Sequence, residues 1–148
     1  MIAFISWPLA FQELEKLLPS CRNLLPDAIT EAAKEAGYSV QFVPLDGWEA
    51  ISDEAILHMI LPLEGNPDDP IIVVTDASFS KACPFSLPRG DLHEFVILHF
   101  AQYKECVVNG DVVMILPTRR TIVLFHHEGV YATIEVAHHK QKGDVAPG

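Results

Sequence analysis

Apolar side chains recur every three or four residues in four segments of the chain, which is the pattern of helices with one buried face. These segments are residues 11–18, 26–36, 52–61 and 91–106. Proline is favoured in a first helical turn and glycine just beyond a last one, as at Pro26 and Gly37. Ser52 is a typical N-cap, and Asp91 and Glu94 have the spacing of a capping box. The pattern therefore predicts four helices.

Other segments have the patterns of strands. Residues 71–74 are continuously apolar, as expected of a strand covered on both faces, and residues 38–42 alternate between apolar and polar. Further strands are predicted at residues 1–6, 111–116, 121–126 and 130–136. Short turns join the last three of them, which favours an antiparallel meander. Residues 77–90 have no clear pattern and form a connection long enough to be functional.

The order of these elements predicts an α+β fold, namely a mixed sheet with flanking helices and a C-terminal antiparallel three-strand meander. We expect the more apolar face of the meander to meet the helices. The chain has 148 residues, of which 49% are hydrophobic, which suits one core and is too many for a disordered chain. Residues 1–137 are predicted to form a single globular domain, and the polar residues 138–148 a mobile tail.

The charge of the chain argues against some classes of partner. Twenty acidic residues against ten basic ones give a formal net charge of −10. Nucleic acid is not an expected partner, because its phosphates are bound by Lys and Arg. No apolar run has the length of a membrane span, and no basic residue of a secretory signal precedes Lys16. We expect a cytoplasmic protein without membrane contact.

Cofactor and metal motifs are absent from the sequence. Cys21, Cys83 and Cys106 have no CxxC spacing, so neither a disulfide framework nor a zinc ribbon is indicated. No glycine-rich phosphate loop occurs, and we therefore expect no nucleotide cofactor. His126 and His127 are neighbours on a predicted strand and should point to opposite faces, so that only one of them could join any one site. We expect no metal.

The acidic residues are concentrated in one part of the chain. Neither Lys nor Arg occurs between Lys34 and Lys81, whereas nine acidic residues lie there. Such a span is either a solvated surface or a surface that attracts a basic protein. Trp48 lies in a predicted turn among these carboxylates and is either an aromatic anchor for that partner or a core residue. The candidate partner-binding residues are Asp46, Trp48, Glu49, Asp53, Glu54, Asp68 and Asp69.

The meander contains candidates for catalysis. If four residues connect its first two strands and two residues connect the next two, Asp111 lies opposite His126, and His126 opposite Tyr131. A carboxylate beside a histidine fixes its tautomer and raises its basicity, as a general base requires. The same row could equally be a structural set of hydrogen bonds, since no G-x-S-x-G motif supplies a nucleophile.

The acidity of the whole chain and the hairpin of residues 110–129, which contains TIVLFHHEG, resemble the small acidic immunity proteins that bacteria pair with toxins. The resemblance implies a non-enzymatic domain whose acidic surface binds a basic protein partner such as a toxin. Absent cofactor motifs also favour binding over catalysis. Two alternatives stay open, a small hydrolase or isomerase that uses Asp111, His126 and Tyr131, and a structural subunit of a larger complex.

Overall fold

The computed structural model describes residues 1–62 and 64–137. The expected C-terminal tail, residues 138–148, lies outside the described residues. The described residues form five α-helices: α1 Trp7–Leu17, α2 Pro26–Glu35, α3 Asp53–Ile60, α4 Asp76–Lys81 and α5 Leu92–Tyr103. They also form seven strands: β1 Ala3–Phe4, β2 Val43–Pro44, β3 Pro70–Val74, β4 Phe85–Pro88, β5 Val112–Leu116, β6 Thr121–His126 and β7 Val130–Glu135.

The seven strands form one open sheet in the order β1-β4-β3-β5-β6-β7-β2. The α+β class, the flanking helices and the C-terminal meander of β5, β6 and β7 are confirmed. The strand directions differ from the mixed sheet that we expected, because every pair in the described part of the chain is antiparallel. Residues 77–90, for which the sequence showed no clear pattern, contain the strand β4. This strand follows α4 and pairs antiparallel with β3.

Helices cover both faces of the sheet, so both faces of the central strands are buried. Val113 and Ile115 of β5 pack with residues of α1 and α2 in one core, whereas Val112 and Met114 pack with α3 and α5 in the other. This explains why β5 is apolar throughout, because a strand with two covered faces has no polar side. The more apolar face of the meander meets helices as expected, and the opposite face is covered by helices as well.

The helix signals in the sequence act largely as expected. Ser52 caps α3 by accepting a hydrogen bond from the N–H of Ala55, and Pro26 occupies the first turn of α2. Asp91 makes no capping hydrogen bond through its side chain, so the expected capping box at α5 does not form. The alternating residues 38–42 lie outside the sheet, and only Val43–Pro44 pairs there, with β7.

The register between β6 and β7 differs by one residue from our expectation. Phe125 lies opposite Tyr131, and His126 lies opposite Val130. Three residues, rather than two, therefore connect these strands, and Tyr131 moves to the other face of the sheet from the one expected. The predicted row of Asp111, His126 and Tyr131 is thus broken at Tyr131.

The described part of the chain contains no helix with both the length and the apolar character needed to cross a membrane.

Candidate functional site

The turn between β6 and β7 brings two histidines and two carboxylates together. It consists of His127, Glu128 and Gly129, and the N–H of Gly129 donates to the carbonyl of His126 over 2.8 Å. Gly129 has a φ of +86°, a left-handed conformation that favours glycine. A three-residue hairpin loop whose last residue is a glycine of this conformation is common. The glycine at position 129 was therefore the feature of the sequence that indicated the correct register.

Asp111 pairs with His127, the neighbour of the histidine that we expected. Val112 lies opposite Phe125, so the same register places Asp111 across from His126 at the end of β6. The Oδ1 atom of Asp111 accepts a hydrogen bond from the backbone N–H of His127 at 2.8 Å and lies 2.9 Å from its Nδ1 atom. This hydrogen bond and the charge of Asp111 raise the pKa of His127 above its ordinary value.

The rings of His126 and His127 stack, with their centroids 4.3 Å apart. One ligand atom from each of Asp111, His126 and His127 can be chosen so that all three lie within 4.8 Å of one another. Our expectation that only one histidine could join a site is therefore wrong. The alternation of side chains holds only while the backbone stays extended, and His127 is already the first residue of the turn.

Trp48 lies directly against this turn. The N–H of Leu45 donates to the carbonyl of Gly129 at 2.8 Å, which joins the loop that follows β2 to the turn. The Trp48 ring is half-buried and packs edge-on against Phe125, with ring centroids 5.1 Å apart. Asp46 and Glu49 beside it are exposed. We refer to the surface made by the loop and the turn as the Trp48 surface, and its residues are Asp46, Trp48, Glu49, Asp111, His126, His127 and Glu128.

Asp53 and Glu54, at the start of α3, make contacts within the protein. Both carboxylate oxygens of Asp53 accept hydrogen bonds from backbone N–H groups, those of Val107 and Val108. Glu54 pairs with His93 through Oε1 and Nδ1, which are 2.7 Å apart. Asp53 therefore holds the segment that precedes β5 against α3.

Asp68 and Asp69 lie in the loop between α3 and β3, where arginines from other elements approach. Asp68 is exposed and Asp69 half-buried. Arg89 donates to the carbonyls of Pro62 and Gly65, over 2.8 and 3.1 Å. The acidic span thus contains neither Lys nor Arg in sequence, but Arg89 and Arg119 from other elements contact it in space. The structure brings Asp46, Trp48 and Glu49 together on the Trp48 surface and places Asp68 and Asp69 in a different loop.

A buried polar network lies beside α5. His99 is 2% exposed, and its Nε2 and Nδ1 atoms lie 3.0 Å from Thr75 Oγ1 and 2.9 Å from the carbonyl of Glu105. Burial lowers the pKa of His99, which favours its neutral form. A cleft of about 380 Å³ opens next to it, with mostly apolar walls that include Phe4 and Leu98. Both ring nitrogens of His99 are therefore engaged by partners within the protein.

Comparisons of the chain with protein-family models, with curated proteins and with solved structures find no match. The resemblance to immunity proteins therefore stays a hypothesis.

Proposed function

We propose that this protein is a non-enzymatic binding domain that binds a basic protein partner through the Trp48 surface. The observation that supports the proposal is a half-buried tryptophan with exposed carboxylates on the segments it joins: Asp46 and Glu49 flank Trp48 in its loop, and Trp48 packs on the turn that carries Glu128. An aromatic anchor surrounded by charges is a common arrangement at protein interfaces.

We further propose that the partner is a toxin and that the protein acts as an immunity protein. The formal net charge of −10 would speed association with a basic protein through long-range attraction. A toxin that acts on nucleic acid binds phosphates through Lys and Arg, and a carboxylate surface has the charge to cover those residues. The proposal rests on this complementarity and on the resemblance described above.

The register between β6 and β7 weakens the argument for a small hydrolase or isomerase. Tyr131 packs with Phe125 on the side of α3 and α5, so the row that suggested catalysis has lost one of its three members. Asp111 orients His127, which is a turn residue. The alternative of a structural subunit predicts binding as well, but without dependence on a basic partner.

The experiment compares two variants that each remove two negative charges. Asp46→Asn/Glu49→Gln alters the Trp48 surface, and the control Glu15→Gln/Glu31→Gln alters exposed positions on α1 and α2 that do not belong to it. Affinity capture from the native host should recover a basic protein in equal amount with the wild type and the control. The Asp46/Glu49 variant should bind the purified partner at least about tenfold more weakly. Equal affinity for all three proteins, or a partner without excess positive charge, would refute the proposal.

A second measurement separates the immunity role from binding alone. The captured partner is expressed with and without this protein, and growth of the cells is followed. Wild type and control should restore growth, and the Asp46/Glu49 variant should restore it less. A partner that binds as expected but does not impair growth would contradict the immunity role. The proposal that the protein is a binding domain would still stand.

A further inference from the structure

We propose that Asp111, His126 and His127 form a binding site for one divalent transition-metal ion, with Zn²⁺ as the ion that the ligands fit. This inference does not depend on the proposed partner. It rests on three side chains of metal-ligating type whose ligand atoms lie within 4.8 Å of one another. His126 and His127 are consecutive in sequence, and nevertheless their rings stack on each other. This is possible because the strand ends at His126.

The chemistry of the ligands selects the class of metal. Two imidazole rings and one carboxylate are a typical set for Zn²⁺, Cu²⁺ or Ni²⁺, whereas Mg²⁺ and Ca²⁺ prefer oxygen ligands throughout. Zinc binds nitrogen and carboxylate oxygen at about 2.0 to 2.2 Å, so tetrahedral ligand atoms lie about 3.3 to 3.5 Å apart. The hydrogen-bonded atoms of Asp111 and His127 are already 2.9 Å apart, so the main adjustment is an approach of the His126 ligand atom by at most about 1.5 Å, which rotation of its side chain can supply.

The backbone that carries the ligands is already held in place. The N–H of His127 binds Asp111 at 2.8 Å, which ties the start of β5 to the turn. His126 is paired with Val130 in the sheet. On the far side, Trp48 packs so closely against Gly129 that a Cβ atom there would lie 2.6 Å from the indole ring. Only the side chains have to move when a metal binds, and this lowers the cost of forming the site.

The site is open to solvent. The side chain of His127 is 61% exposed, whereas those of Asp111 and His126 are 31% and 20% exposed. Three protein ligands leave a fourth position of a tetrahedral ion free for water. Glu128 adds a second negative charge, because its Oε1 atom lies 3.5 Å from His126 Nδ1. Together with Asp111 it matches the charge of a divalent cation.

The experiment titrates metal-free, full-length protein with Zn²⁺ in competition with a chromophoric chelator. One equivalent should bind, and Mg²⁺ in excess should not displace it. Asp111→Asn and His127→Ala should each weaken binding at least about tenfold. Two controls, His93→Ala and His138→Ala/His139→Ala, should stay within about twofold of the wild type, because neither alters the proposed ligands. Circular dichroism before the titration shows that each variant is folded.

Nuclear magnetic resonance of the imidazole groups identifies the ligands independently of the variants. One equivalent of Zn²⁺ should shift the ring signals of His126 and His127 and leave those of His58 and His93 in place. Failure of the wild type to bind Zn²⁺ would overturn the proposal. So would binding that Asp111→Asn and His127→Ala retain while His138→Ala/His139→Ala loses it.

Discussion

At the scale of single residues, Asp111 organises the turn that follows β6. One of its carboxylate oxygens contacts both the backbone N–H and the ring of His127. The sequence predicted an Asp–His pair at this end of the meander but with His126 as the histidine. The predicted histidine was one residue too early in the chain. The strand β6 ends at His126, and the pair forms with His127, the first residue of the turn.

The first prediction concerns the protonation of His127. Its pKa should lie above about 6.5 in metal-free protein with a chelator present, and Asp111→Asn should lower it, because the hydrogen bond and charge of Asp111 raise it. The pair stabilises the fold below pH 6.5 or so, and this contribution disappears as the pH rises through the raised pKa. Titration of the ring signals measures the shift. A His127 pKa that is the same in both proteins would contradict the contact.

The second prediction concerns the fit of Gly129 against Trp48. Gly129→Ala should destabilise the protein by about 2 to 5 kcal/mol, because a Cβ atom meets the indole ring and the residue has a positive φ. Gly47→Ala is the matched control: Gly47 also has a positive φ, +73°, but nothing lies within 4 Å of an added Cβ. It should cost only about 1 to 2 kcal/mol. Chemical denaturation measures both, and equal losses would show that Trp48 does not restrict Gly129.

At the scale of elements, α5 has one buried face and one apolar face that is exposed. Phe95 is 1% exposed and contacts Phe85, whereas Ile97, Leu98 and Phe100 are among the exposed apolar residues. The apolar stripe in the sequence correctly predicted the helix. The helical spacing also places Leu92, Phe95, Val96, His99 and Tyr103 on one face, and this face is the one that packs against the core.

The third prediction uses the two faces of α5. Phe95→Ala should lower the free energy of unfolding by about 3 to 5 kcal/mol, because it leaves a cavity in a packed core. Phe100→Ala makes the same chemical change at a side chain that is 53% exposed and should cost less than about 1 kcal/mol. Urea denaturation compares them. A loss below about 1 kcal/mol for Phe95→Ala would mean that the buried face has been assigned wrongly.

At the scale of the whole molecule, α1 and α2 cover one face of the sheet, and α3 and α5 cover the other. Neither Lys nor Arg occurs between Lys34 and Lys81, but Arg89 and Arg119 approach the loop of residues 64–69 from other elements. No such contact from a Lys or Arg within the described chain is made to Asp46 or Glu49. Asp46 and Glu49 are therefore acidic residues of the span whose carboxylates have no Lys or Arg partner among the described residues.

The fourth prediction follows from this distribution of charge and depends on the proposed partner. The association rate with the basic partner should fall at least about tenfold as salt rises from low to high ionic strength, because salt screens long-range attraction. Stopped-flow measurements give the rate. Asp46→Asn/Glu49→Gln should flatten the salt dependence more than Glu15→Gln/Glu31→Gln does. If the association rate of the wild type does not change with salt, long-range electrostatic attraction does not assist binding and the prediction is wrong.

The sequence by itself determined the elements whose signals are local. Ser52 as an N-cap, Pro26 in a first turn and the continuous apolar run of β3 each act within a few neighbouring residues, and each was predicted correctly. The α+β class and the three-strand meander followed from the order of such elements.

Only the tertiary structure decided the register of β7 and the composition of the Trp48 surface. Register depends on a single turn residue, and one additional residue sends every following side chain to the opposite face. The contact of Leu45 and Trp48 with Gly129 joins segments about eighty residues apart, for which no local pattern exists. That contact brings the acidic loop to the histidine turn, because the short strand β2 pairs with β7 at the edge of the sheet.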